Sequence, residues 1–363
     1  MLFLKSLPAT RLAHGNFQWP DRVGAIVQSE TWDPTPTCGG GLHGLKNGEG
    51  QLGLLDDSTD AIWYAFESVD EHGNPSDDKA VVIDWEKAKC HRAIIRAIGA
   101  RDEATDWLVR QGCNQVAYAN HLVGDYRLAT VGHHGAAFSG NGGIAIGKRT
   151  ATATVAERGI AITDDWGESK GNGQHTIAIS DYQGKATVDD RSIAIVDDFG
   201  KATAQENSIA IAKDAGTATV GTKSIAIVAC GGTATSGVIG VSIGSDTSGA
   251  TTGDGGLAAT RAFGVSVAGK KGIACAGYNG KAISGDHGTA IAGTAGAART
   301  GKNGVAITDG SGCVSGGESS VLILYGKHDT PVVAIVGLNG IKPNTLYTLH
   351  DSEDRFIEVQ RPK

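Results

Sequence analysis

Residues 192–211 read SIAIVDDFGKATAQENSIAI, with the phrase Ser-Ile-Ala-Ile twice, sixteen residues apart, and a second phrase, Gly-Lys-Ala-Thr, halfway between. Working outward, matching phrases start at Ile144, Ile160, Ile177, Ile193, Ile209, Ile225 and Val241, then at Leu257, Ile273, Thr289, Val305 and Val321. Every step is sixteen residues except the seventeen between Ile160 and Ile177. The halfway phrases start at Thr152, Lys185, Lys201, Thr217, Thr233 and Gly249. The unit is therefore an octapeptide, Gly/Ser-x-Ala-x plus four looser residues, and about 25 units run from Leu128 to Val321. Self-similarity this strict is the signature of a solenoid, in which each unit stacks only on its neighbours.

Eight residues suit one short strand and one turn, so two units make a coil, and about twelve coils stacked at ~4.8 Å give a rod on the order of 60 Å long. Charge settles the register. Lys185, Lys201 and Lys281 occupy the first x, and a row of ammonium groups inside a thin solenoid carries a large desolvation penalty. That position points outward, so the following Ala points inward. The same register on the other strand turns Ile144, Ile146, Ile160, Ile162, Ile193, Ile195, Ile209, Ile211, Ile225 and Ile227 outward as a flat apolar face. A face of that size is the expected interface with further copies of the chain, as a homodimer or homotrimer. The opposite register, with these isoleucines inside, is the alternative.

Composition agrees with stacked short strands: 54 glycines, eight prolines, one methionine and 6% aromatic residues among 363. The net charge of −7 comes with no basic stripe, which argues against nucleic acid as a partner. Cys38, Cys90, Cys113, Cys230, Cys275 and Cys313 form no CxxC pair, so reduced thiols are expected, with no disulfide framework and no metal. Neither the four-residue apolar opening before Lys5 nor any later stretch suits a signal peptide or a membrane span. The expectation is a cytoplasmic protein, or one exported by a signal-peptide-independent machine, with no membrane insertion.

The repeat resembles the head repeats of trimeric autotransporter adhesins, which carry a comparable Ser-Val-Ala-Ile-Gly phrase. The resemblance spans residues 128–323 and implies parallel β-rolls whose outward apolar residues, here Ile193, Ile195, Ile209, Ile211 and their counterparts, meet along a common axis. The unit is a little longer here than in that family, and a stalk of sustained heptads is lacking.

Residues 1–113 hold five of the six tryptophans and five of the eight prolines, and are expected to form a separate small α+β domain. GNFQWP (15–20), CGGGLHGL (38–45) and RDEATDWLVRQGC (101–113) resemble segments of an uncharacterised bacterial and phage domain, which implies no reaction. The pattern predicts strands near 24–28, 62–66, 80–83 and 93–98 and a helix near 102–110 with Asp102 as its N-cap. Gly39, Gly40 and Gly41 form a candidate anion-binding loop, and the following His43, titrating near neutrality, is the candidate catalytic residue. The Gly-Leu-His run ahead of Trp63, Tyr64 and Phe66 also resembles the nucleotide-binding core of ADP-ribosyltransferases. Cys90-His91 and His133-His134 lack a spaced second pair of ligands, so no metal or other cofactor is expected. GGIAIGKRT (142–150) nearly matches a phosphate-binding loop, but Arg149 replaces the hydroxyl residue and the segment is one solenoid unit.

After Val321 the rhythm stops. Strands near 332–336, 345–350 and 355–359, with turns at Asn339-Gly340 and 351–354, read as an antiparallel cap. The expected organisation is therefore an α+β domain at 1–113, a parallel β-solenoid at 114–327 and an antiparallel cap at 328–363. The expected role is a structural, self-associating protein that displays its N-terminal domain to an unidentified protein or surface ligand. An enzyme or toxin-like N-terminal module multimerised by the solenoid is the alternative, and ice binding by the Thr face is a third.

Overall fold

The computed structural model describes residues 1–50, 52–84, 87–326, 330–350 and 355–359. The chain is mainly β, with about 13 parallel coils of about 16 residues forming a β-solenoid and antiparallel strands at the C-terminal end. It comprises two compact units, Met1–Ser169 and Lys170–Lys363. Among the described residues no helix is long and apolar enough to cross a membrane.

The first unit opens with seven antiparallel strands: β1 (Leu2–Leu7), β2 (Ile26–Gln28), β3 (Leu42–Lys46), β4 (Ile62–Ser68), β5 (Ala80–Val82), β6 (Lys87–Cys90) and β7 (Arg92–Gly99). Their order in the sheet is β2-β7-β4-β1-β3-β6-β5. Alternation in β1 sends Phe3 and Leu7 to one face and Leu4 to the other. On the first face Phe3 stacks on Phe66 with centroids 4.8 Å apart, and Trp19 lies 5.1 Å from Phe66 and 5.2 Å from Tyr64. On the second face sits α1 (Arg101–Arg110), which buries Ala104, Thr105 and Leu108. The helix starts one residue earlier than expected, and its cap is Ala100, with no side-chain hydrogen bond. Asp102 is thus inside the first turn, where its charge complements the helix dipole instead of capping.

The apolar core beneath α1 does not stop at Cys113. It continues through Val116 and Ala117 to Ala129, Ala137, Ala145, Ala153 and Ala161, the inward residues of the first coils. The solenoid also starts before Leu128, with the strand Asn120–Leu122. In that strand His121 stands in register with Ala137, and its Nδ1 accepts the Thr130 N–H at 3.2 Å. A histidine in the alanine position hid this coil from the repeat pattern.

The second unit shows the coil at its most regular. From Ile177 to Thr300 each strand has four residues with the second and fourth inside, as in Ile193–Val196, where Ala194 and Val196 are wholly buried. Ala178, Ala194, Ala210 and Ala226 form one inward ladder, and Ala186, Ala202, Ala218 and Ala234 form the other. The lysine-based register is the one observed: Lys185 and Lys201 are exposed beside fully buried alanines.

The turns carry a feature that the repeat did not reveal. Phe199, Asn207, Ala215, Lys223 and Ile239 all have φ between +53° and +59°. A left-handed residue other than Gly costs about 1–2 kcal/mol. Here it aims the N–H at the neighbouring coil: Phe199 donates to the Asp214 carbonyl at 2.9 Å, Ala215 to Cys230 at 2.7 Å and Ile239 to Asp254 at 2.9 Å. The ladder therefore runs through the corners as well as the strands. The corner residues that follow are Gly or Ser for two reasons. A Cβ on Gly200 would fall 2.8 Å from the Val196 Cβ and 2.9 Å from the Gly184 oxygen. At the alternate corner, the Ser192 N–H donates to Ser208 Oγ at 3.2 Å and the Ser208 N–H to Ser224 Oγ at 3.0 Å. The one seventeen-residue step is taken up after Gly171, where the turn lengthens and Gly173 adopts φ +106°.

The last coil has Leu322 in register with Ala306 and Leu324 with Thr308, and both leucines pack with Val336, Tyr347 and Leu349. Strand Pro331–Ile335 pairs antiparallel with Val321–Tyr325, and Tyr347–Leu349 joins Cys313–Gly316 through Val314 and then pairs with Phe356–Glu358. These strands cover a backbone edge that the parallel stack leaves open. The expected turn at 351–354 lies outside the described residues.

Candidate functional site

Two features stand out, an apolar solenoid face and a cavity in the N-terminal sheet. In the first unit Ile144 pairs with Ile160 and Ile146 with Ile162, all outward. In the second, Ile193, Ile209 and Ile225 form one outward column and Ile195, Ile211 and Ile227 the next. Ile144 and Ile225 are each 37% exposed and the other eight half-buried, because each side chain packs against the rungs beside it. The columns continue through Val241 and Ile243, Leu257 and Ala259, Ile273 and Cys275, and Thr289 and Ile291 to Val305, Ile307, Val321 and Ile323. Ten strands at ~4.8 Å, each about 13 Å wide, make a face of roughly 600 Å² in the second unit.

The opposite face is polar and irregular. Thr217 with Thr219 and Thr233 with Thr235 sit in register, but Lys185 and Lys201 precede them and Val265 and Val267 follow Gly249 and Thr251.

The cavity arises where two strands part. β1 pairs with β3 only at Phe3↔Lys46 and Leu4↔Leu45, after which β1 follows β4 while β3 follows β6. A space of about 710 Å³ opens in this fork, lined by Leu4, Lys5, Phe17, Trp19, Leu54, Lys87 and the loop from Cys38 to His43. Both sequence-predicted elements, the glycine loop and His43, thus reach one cavity, together with GNFQWP.

Their chemistry differs from the expectation. The buried Lys89 donates from Nζ to the Thr37 and Gly39 carbonyls, each at 2.8 Å, and lies 5.9 Å from the Trp32 ring. The Gly39 N–H points at His43 Nε2, 3.4 Å away. The Gly40 oxygen accepts from the Asp33 N–H at 3.1 Å. His43 does not titrate near neutrality. Burial first, then the charges of Lys87, Lys5 and Lys89, hold it down to about 4, against a hydrogen bond to the Gly41 backbone that favours protonation. At neutral pH the ring is uncharged and fastens the loop.

Sequence reasoning missed the lysines. Lys5 stands in β1 at the alternation of Phe3 and Leu7, a cation in an apolar row, and that was the available signal. Its Nζ is 5.6 Å from the Trp19 centroid. Burial, reinforced by Lys87, lowers its pKa to about 8. Lys87 Nζ lies 3.3 Å from Cys38 Sγ. All six cysteines are free thiols; Cys90 is buried, and burial pushes it up to about 12. His91 lies 5.6 Å from the Trp32 ring and His134 stacks on Tyr118 at 5.3 Å.

Compared with known proteins, the chain matches no family model, no curated protein and no solved structure.

Proposed function

We propose that this is a structural protein that self-associates through the isoleucine face of its solenoid and displays the N-terminal region as a binding module. The carrying observation is the pair of outward isoleucine columns in unbroken register. Roughly 600 Å² per partner gives about 1,200 Å² in total, the lower limit of a stable interface. A flat, uncharged surface of that kind is self-complementary, since stacking it on a copy leaves no charge unpaired. The resemblance to trimeric autotransporter head repeats supports a three-fold arrangement; a two-fold one buries the same face. The cavity favours a second reading, a catalytic N-terminal module multimerised by the solenoid.

The test is a solution mass. Sedimentation at micromolar concentration should give a dimer or trimer, and a monomer would refute the proposal. Changing Ile193, Ile195, Ile209 and Ile211 together to Thr should keep the strand circular-dichroism signal, because all four point outward. Since each isoleucine is already half-covered, association removes about 0.7–1.5 kcal/mol worth of exposed surface per residue. Four of them weaken binding by roughly 3–6 kcal/mol per chain, 10²-fold or more.

A further inference from the structure

The cavity between β1 and β3 has an imbalance of charge. Its lining brings the ammonium groups of Lys5 and Lys87 together, with Lys89 behind the loop, and among the described residues the one lining carboxylate is Glu30, which is exposed. Among the described residues no carboxylate forms an ion pair with any of the three lysines. Lys89 is committed to the Thr37 and Gly39 carbonyls, so it holds the loop and is not available to a ligand. His43 is likewise engaged, with Gly39 on Nε2 and the Gly41 backbone as a further partner. Lys5 and Lys87 remain, Lys87 with the weakly accepting Cys38 Sγ 3.3 Å away, in a space also lined by the apolar Phe17 and Leu54.

We propose that this cavity binds a small organic anion, its carboxylate or phosphate head between Lys5 and Lys87 and its apolar body against Phe17 and Leu54. The volume of about 710 Å³ lies within the usual range for small-molecule sites. An anionic head offsets two like charges that are partly withdrawn from water, the arrangement in which a charge-assisted hydrogen bond is strongest. The depressed pKa of Lys5 agrees with this picture: without an anion, burial and Lys87 both disfavour its charged form. The glycine loop serves as a wall positioned by Lys89 and His43.

The test is calorimetric titration of the full chain with phenyl phosphate and with benzoate, which separate the two heads. Benzyl alcohol supplies the body without charge, and inorganic phosphate the charge without a body. At least one aromatic anion should bind saturably, one per chain, and at least tenfold more tightly than benzyl alcohol or inorganic phosphate. Lys87→Gln, on a partly exposed side chain, should weaken that binding tenfold or more, and Lys5→Met should do the same in protein with an unchanged circular-dichroism spectrum. Failure of both anions to bind, equal binding of benzyl alcohol, or undiminished affinity in Lys87→Gln would each overturn the proposal. Should Lys5→Met not fold, the Lys87→Gln result decides alone. The quadruple isoleucine variant should bind the anion as the wild type does, so loss of self-association leaves this proposal standing.

Discussion

The N-terminal sheet and the coils of the second unit solve the problem of a dry interior in opposite ways. The sheet concentrates burial in a few large side chains: Phe3 stacks on Phe66, and Trp19 lies tilted about 5 Å from both Phe66 and Tyr64. The coils spread it over alanines that are wholly buried yet individually small. An Ala ladder gains little per residue from the hydrophobic effect, so the coil depends on close approach and on backbone hydrogen bonds that run through strands and corners alike. The first arrangement is sensitive to lost volume, the second to added volume.

Phe66→Ala should have the largest effect, about 3–5 kcal/mol, since a wholly buried ring leaves a cavity between Phe3 and Trp19. Amide exchange should accelerate across residues 1–99 and stay slow across 193–228; equal acceleration in both would mean that the two regions unfold as one and would break the comparison. Ala210→Leu should come next, at roughly 1–3 kcal/mol, because the narrow coil cannot admit three more carbons. A melting curve that ranks it as neutral would show the coils to be looser than their packing implies.

The smallest effect expected is that of mild acid. His43 is held down to about 4 in the fold against an ordinary value of 6.5, so the unfolded chain binds more protons between these values. Stability from the neutral ring is whole above pH 6.5 and is lost as pH falls toward 4. The strand positions that face the interior in residues 177–324 hold only Ala, Val, Ser, Thr, Gly and Leu, none of which titrates. Between pH 7 and 4.5, exchange in residues 42–46 should therefore speed up relative to residues 193–228. Parallel behaviour of both segments would remove the distinction.

The solenoid was legible because its signal is local. A Lys directly after a Gly at fixed spacing defines the outward column, and the Ala beside it follows from strand alternation alone. The N-terminal sheet was legible only in part. β4 and β7 announce themselves as long apolar runs, whereas β1, β3 and β6 each include Lys or Gly at positions that break the alternation. In the candidate site, the glycine loop and His43 were recognisable as a chemical motif, but not that Lys89, about fifty residues on, takes up the loop's carbonyls.

Periodicity, corner residues and the sign of the outward charge determined the coil, its register and the cap, since each coil interacts with sequence neighbours at a constant distance. Pairing of residue 4 with residue 45, the fork that follows it, and the meeting of Lys5, His43 and Lys87 were decided by tertiary structure alone. The left-handed turn residues belong there too. Phe, Lys and Ile have no intrinsic preference for positive φ, and only a neighbouring coil whose carbonyl accepts their N–H makes that conformation the favourable one.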